Sequence, residues 1–185
     1  SFRDVNIAFA NELSIICDKL DINVWELIKL ANRHPRVNVL QPGPGVGGHC
    51  IAVDPWFIID SAPDEAQLIR TARLVNDSKP VFVLNKVSQI VESTGKEISD
   101  LSIACLGLAF KPNIDDLRES PALSIAQEIS NIGFRSTFLV EPNIDFIPTG
   151  FGSENTELVK LEMAIKSADI IILLVDHAPF KLMDL

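Results

Sequence analysis

Residues 101–112 read LSIACLGLAFKP, an apolar run that stops at a lysine and a proline. Such a run suits a strand covered on both faces, and Ile103–Phe110 is the strand expected from it. Downstream the grammar alternates. A helical period over Pro121–Ile132 is followed by a second strand at Ser136–Val140. A second helical pattern at Thr156–Ser167 then leads into a third strand at Asp169–Val175. This βαβαβ order with two-sided apolar strands predicts a parallel sheet covered by helices. It reads as one half of a Rossmann-like domain, ending before the remaining strands. Ligands meet such a sheet at the carboxyl ends of its strands. Here those ends are the loops at 108–120, 141–146 and 176–180.

Upstream the chain is helical. In residues 1–20, Phe2, Val5, Phe9, Leu13 and Ile16 recur at three- and four-residue steps on one face. Asn23 is the expected N-cap of a helix from Val24 to Asn32. Asp64 is the expected cap of a long helix through Leu68, Ala72 and Val75. Pro80 should kink or restart that helix, because proline lacks the amide donor and clashes with the preceding turn. The polar stretch ESTGKEISD at 92–100 reads as a linker. The fold class is therefore α/β. A helical domain over 1–95 precedes a partial parallel-sheet domain over 96–185.

Composition narrows the function. The 185 residues are 47% hydrophobic and 22% charged, as in ordinary globular proteins. A formal charge of −9 without a basic stripe argues against nucleic-acid or anionic-membrane binding. The longest apolar stretch, Ile170–Val175, is strand-sized and far short of a membrane span. Three cysteines, Cys17, Cys50 and Cys105, fit reduced thiols in a cytoplasmic protein, and no secretory leader pattern is visible. The first residues are already helix-periodic, and the chain reads as a fragment of a longer protein.

Four of the chain's 9 glycines fall in residues 42–55, PGPGVGGHCIAVDP. A Walker-type phosphate loop does not fit, because no Lys-Ser/Thr pair follows the glycines. A dinucleotide fingerprint does not fit either, because that motif follows a strand and opens a helix. A zinc site from His34, His49, Cys50 and Asp54 lacks the usual ligand spacings. Two readings stay open. In one, Gly45, Gly47 and Gly48 let bare backbone wrap a ligand, Cys50 is a nucleophile at the edge of that cradle, and Asp54 handles a proton. In the other, Cys50 is a small hydrophobe in a tight turn. Cys17 on a helix face and Cys105 in mid-strand read as structural.

Three stretches, SFRDVNIAFANE at 1–12, GPGVGGHCIAVDP at 43–55 and GLAFKPNIDDLRESPA at 107–122, resemble the UDP-glucose/GDP-mannose dehydrogenase family. The likeness runs over essentially the whole chain. It implies the family's central helical domain and part of its nucleotide-sugar domain, the central helices forming a homodimer. It implies NAD as cofactor, a UDP-sugar as substrate and no metal. The implied activity is oxidation of a sugar primary alcohol to a carboxylate in two hydride transfers. The cysteine matching Cys50 carries a thiohemiacetal and then a thioester, and the aspartate matching Asp54 serves the proton and water steps.

Other roles follow from the same resemblance. Arg3 is expected to meet the substrate diphosphate, and Gly47 belongs to the substrate cradle. His34 and Arg36 are expected to reach the neighbouring subunit's active site. His49 stands where more distant members carry serine, which implies packing or substrate contact specific to a subgroup. Lys111 suits a substrate phosphate at the end of the first strand, with Phe110 lining the same pocket. Arg118 is expected to reach toward the dinucleotide. Ser120 and Pro121 read simply as a helix start. The family's catalytic lysine and asparagine match positions just before Ser1, and its NAD-binding domain lies further upstream. The resemblance therefore implies that this chain alone is inactive. The rival reading is a non-catalytic dimerisation and nucleotide-sugar-binding module with a structural Cys50.

Overall fold

The computed structural model describes residues 1–152 and 154–182. The chain divides into two compact units, Ser1–Phe82 and Val83–Leu185.

The first unit is helical. Helix α1 spans Phe2–Lys19, and its expected apolar stripe turns outward, with Phe2 85% and Phe9 54% exposed. The inward positions are Asp4, Ala8 and Asn11, one turn apart and fully or nearly fully buried. The reason is a polar network across to a distant helix, described below. After Leu20 the chain reverses, with Asp21 at φ 55 and the Ile22 amide returning to the Cys17 carbonyl at 2.8 Å. Helix α2 (Val24–Ala31) starts as expected, with the Asn23 side chain accepting from the Trp25 and Glu26 amides.

Helix α3 occupies Asp54–Ser61, and helix α4 runs over Gln67–Thr94. Asp64 is not the cap of α4. It lies three residues before the start, and only its carbonyl bonds to Gln67, at 3.1 Å. Pro80 does not restart α4 either, since the helix continues through it to Thr94. Apolar positions on both sides hold the segment helical against the lost amide bond, and in the second unit Val87 is 2% exposed.

The second unit is a four-stranded, all-parallel sheet in the order β3-β2-β1-β4. Central β1 (Ser102–Leu106) is buried throughout and pairs with β2 (Ser136–Val140) and β4 (Ile170–Leu173). Helix α5 (Pro121–Ser130) supplies Ala122, Ile125, Ala126 and Ile129 to one core face, joined by Val87 of α4. On the other face Ala104, Leu106, Phe138 and Val140 pack against Ala164 of helix α6 (Leu161–Ser167). The α/β reading thus stands.

Several boundaries differ from expectation: α5 ends at Ser130 rather than Ile132, and β4 covers Ile170–Leu173 rather than 169–175. The stretch read as one helix from Thr156 opens with a short strand, β3 (Thr156–Leu158), and α6 starts only at Leu161. Open ladder positions at Thr137–Leu139 of β2 recruit these residues. The first strand stops at Leu106, because Gly107 takes φ +88 and turns the chain. A β-carbon at Gly107 would lie 2.5 Å from the Val175 β-carbon, so glycine lets the ends of β1 and β4 close together.

Candidate functional site

In the first unit the glycine loop is anchored from beneath. The Gly43 amide donates to Asn11 Oδ1 at 2.9 Å, and Asn11 Nδ2 donates to Asn76 Oδ1 at 2.8 Å. Asn76 Nδ2 continues to Asp4 Oδ1 at 2.8 Å, where Arg73 Nη1 also donates at 2.7 Å. Arg73 reaches Asp77 with its other terminal nitrogen. Asp4, Asn11, Arg73 and Asn76 are all at most 2% exposed. Asp4 Oδ2 and Arg73 Nε have no hydrogen-bond partner among the described residues. A loop rich in glycine is thereby fixed at one end by a buried relay joining α1 to α4.

Within the loop, Gly45 sits at φ 146 and Gly48 at φ 82, conformations that a side chain resists. Gly47 is buried without needing a positive φ. The chain then emerges at His49 and Cys50, both exposed. Cys50 opens a single turn, its carbonyl accepting from Val53 at 3.2 Å and from Asp54 at 2.8 Å. Asp54 is the first residue of α3, exposed, with its carboxylate at the helix's positive end. Cys50 is a free thiol on the surface, whereas Cys17 and Cys105 are buried and burial pushes Cys105 up to about 12. Among the described residues, no group of three His, Cys, Asp or Glu side chains is arranged to hold a metal ion.

The other expected residues of this unit are Arg3, His34 and Arg36. Arg3 is exposed on α1. His34 and Arg36 are exposed on the loop after α2, where the Arg36 amide donates to His34 Nδ1 at 3.2 Å. Asn32 pins that loop by bonding the Val39 carbonyl at 2.9 Å and its amide at 2.7 Å.

Lys79 escaped the sequence reading. It is 4% exposed, donates to Ser14 Oγ at 2.8 Å and lies 4.4 Å from the Phe82 ring centre. Burial lowers it to about 8, and the Asp18 charge opposes that shift. Between about 8 and 10.5 the unfolded chain binds more protons than the folded one, so stability rises with pH across that window. The penalty is present in full below the window and is relieved as pH rises through it. Lys79→Met is expected to flatten this slope, read as denaturation midpoints on either side of the window.

In the second unit the carboxyl ends of β1, β2 and β4 meet in a cluster the sequence reading located but did not identify. Glu141, directly after β2, has a fully buried carboxylate. Its Oε2 accepts the Leu108 amide at 2.7 Å, the Ala109 amide at 3.1 Å and His177 Nε2 at 3.0 Å. Its Oε1 accepts the Asn143 amide at 3.2 Å and Asn143 Nδ2 at 3.0 Å. On the far side of the ring, His177 Nδ1 accepts the Asn113 amide at 2.9 Å. That bond fixes the tautomer, leaving the proton on Nε2 to be donated to Glu141. Asn113, at φ 61, returns its Oδ1 to the Ala178 amide at 2.9 Å. The signal available in the sequence was position alone: an acid directly after the second strand, and a histidine four residues beyond Leu173, the last residue of β4.

Phe110 is half-buried and Lys111 exposed between those two anchor points, with Lys111 Nζ 5.6 Å from the Phe110 ring centre. Arg118 is exposed and turned onto Asp116, with Nη2 to Oδ2 at 2.6 Å and Nε to Oδ1 at 2.9 Å. Ser120 caps α5 as expected, accepting from Leu123, and its hydroxyl also donates to the Leu108 carbonyl at 2.6 Å. A cavity of about 850 Å³ opens beside this cluster, lined by Glu141, Asp145, Leu158, Lys160, Glu162 and Phe180 among others. Neither Phe110 nor Lys111 lines it.

Comparison with known proteins agrees over both units. Residues 1–78 match the model of the UDP-glucose/GDP-mannose dehydrogenase family, central domain, and residues 104–185 match the UDP binding domain of the same family. A UDP-N-acetyl-D-mannosamine dehydrogenase of Salmonella typhi is 61% identical over 98% of this chain. An NDP-N-acetyl-D-galactosaminuronic acid dehydrogenase of Ralstonia solanacearum is 58% identical over all of it. This chain spans 44% of the first relative's length and 42% of the second's. A solved structure of the UDP-D-ManNAc dehydrogenase from Pyrococcus horikoshii superposes with TM-score 0.84 at 37% identity. It covers 99% of this chain and is itself covered to 41%.

Proposed function

The chain belongs to the UDP-glucose/GDP-mannose dehydrogenase family, and we propose that it is the thiol-bearing part of a UDP-N-acetyl-D-mannosamine 6-dehydrogenase. The observation that carries this reading is Cys50, a free surface thiol at the mouth of an anchored glycine loop, one turn before Asp54. In this reading Gly47 lets the substrate lie against bare backbone, the Arg3 guanidinium suits a diphosphate, and in the second unit the Lys111 ammonium suits a phosphate. Phe110 packs on the nucleotide side. His34 and Arg36 serve the site of a second subunit in a homodimer built through the helical domain, 1–95. The domain over 96–185 holds the UDP-sugar, and the protein works in the cytoplasm.

A nicotinamide dinucleotide, when bound, would supply the oxidant, one equivalent for the sugar alcohol and a second for the thiohemiacetal held on Cys50. Between those oxidations the Cys50 thiolate adds to the aldehyde carbon, so the carbon–sulfur bond holds the intermediate in place. Water then attacks the resulting thioester carbonyl, Asp54 takes its proton, and the carboxylate leaves with the thiol restored. This chain's own contribution to the dinucleotide is Arg118, a guanidinium on an exposed loop suited to a diphosphate. An ordinary dinucleotide seat in the second unit is closed, because Glu141 already fills the amides that follow β1. This chain spans 44% of the first relative's length, and in this reading the full-length protein is the active species.

Turnover of the full-length protein against a panel of nucleotide sugars tests the reading. Two NADH per carboxylate and the highest kcat/KM with UDP-N-acetyl-D-mannosamine are expected. A higher kcat/KM with UDP-N-acetyl-D-galactosamine would reassign the sugar, which the 58% identity to the Ralstonia enzyme makes the alternative to examine. One NADH per product would remove the two-step scheme.

A further inference from the structure

In doubly wound folds, the amides after the first strand take a phosphate and the acid at the end of the second takes a ribose. Here the two are turned on each other. The Glu141 carboxylate accepts the Leu108 and Ala109 amides at 2.7 and 3.1 Å, so a side chain of the protein fills the place of the anion. The loop those amides begin is held again at its far end. His177 Nδ1 takes the Asn113 amide, Asn113 Oδ1 takes the Ala178 amide, and His177 Nε2 closes the circuit onto Glu141. His177 is 0% exposed and Glu141 4%, and the Phe180 ring stands edge-on to the imidazole at 5.4 Å. Between the two tethers stand only Phe110, Lys111 and Pro112. Gly107 at φ +88 and Asn113 at φ 61 mark the turns at either end of this span.

We infer that Glu141 and His177 are positioning residues for Lys111, an internal anion and its imidazole partner that hold the loop bearing the phosphate-binding ammonium. Among the described residues Lys111 Nζ makes no hydrogen bond that would orient it, and its flexible stem loses entropy on binding unless the backbone beneath is fixed. Neither side chain need touch the substrate. Their effect passes through the backbone of residues 108–113. This inference rests on the proposed role of Lys111 in binding the UDP-sugar.

The test is a double-mutant cycle in the full-length enzyme, with KM and kcat for UDP-N-acetyl-D-mannosamine measured for wild type, H177A, K111A and the double variant. H177A is expected to raise KM about tenfold with kcat little changed, a coupling of ordinary size for residues sharing one network. In the K111A background the same change is expected to move KM far less. H177Q, which keeps an amide N–H toward Glu141, should recover part of the loss, and it stands in for H177A if that variant does not fold. Equal effects of the histidine change with and without Lys111 would overturn the inference. A lowered melting temperature with KM unmoved would overturn it too, by showing a structural role alone. If K111A itself leaves KM unchanged, the proposed role of Lys111 falls first, a result distinct from failure of the coupling.

Discussion

Replacing Cys50 with serine in the full-length enzyme is expected to lower carboxylate formation on the order of 10³-fold or more, as loss of a covalent nucleophile does elsewhere. Sulfur does here what oxygen does not. A thiol ionises near neutral pH, adds readily to an aldehyde and leaves from a thioester, whereas a serine hydroxyl stays protonated without a base beside it. The position supports the assignment. Cys50 is exposed, while Cys17 and Cys105 are buried at 2% and 0% exposure. A thiol reagent applied to the native protein should therefore label Cys50 first and abolish turnover at one label per chain. Cys17→Ser should leave that labelling unchanged. Wild-type carboxylate production by C50S would leave the cysteine with a structural role only.

The second large effect is on folding. Asp4→Leu should destabilise the protein by about 3–5 kcal/mol, because it leaves the buried Arg73 guanidinium without its one buried carboxylate partner among the described residues. Arg73 is 2% exposed, and its remaining carboxylate partner, Asp77, is 48% exposed, where solvent screens the pair. The same change removes the carboxylate acceptor of Asn76 and leaves only the Asp4 carbonyl at 3.1 Å, so the relay through Asn11 to the Gly43 amide is weakened at its base. Pairing it with Arg73→Met should recover much of the loss, since two apolar groups of similar volume need no partners. Urea midpoints at constant slope are the measurement. A single-variant loss below about 1 kcal/mol would mean that the pair is not the anchor described here.

How legible each feature was depended on how local its cause is. Asn23 before α2 and Ser120-Pro121 before α5 could be read directly, because an N-cap acts within three residues. The parallel sheet could be read from β1, since a central strand must be apolar on both faces. Strand β3 could not, because three residues, TEL, carry too little pattern and run straight into the helical period of α6. The inward face of α1 was hidden for a different reason. Asp4 and Asn11 are buried only because Arg73 and Asn76, 65 to 72 residues away, satisfy them. Glu141 and His177 are the same case in the second unit, joined across 36 residues. Cys50 stood out through the glycines beside it, but the Asn11 tether beneath those glycines had no signature of its own.

The covalent step is the centre of the account, and the most direct measurement is the mass of the Cys50 peptide. Full-length enzyme is mixed with NAD and UDP-N-acetyl-D-mannosamine, quenched in acid during turnover and digested. The account predicts a peptide containing Cys50 that carries the nucleotide-sugar acyl group as a hydroxylamine-labile thioester, absent in C50S. Sustained carboxylate formation with Cys50 unmodified at every quench time would contradict it.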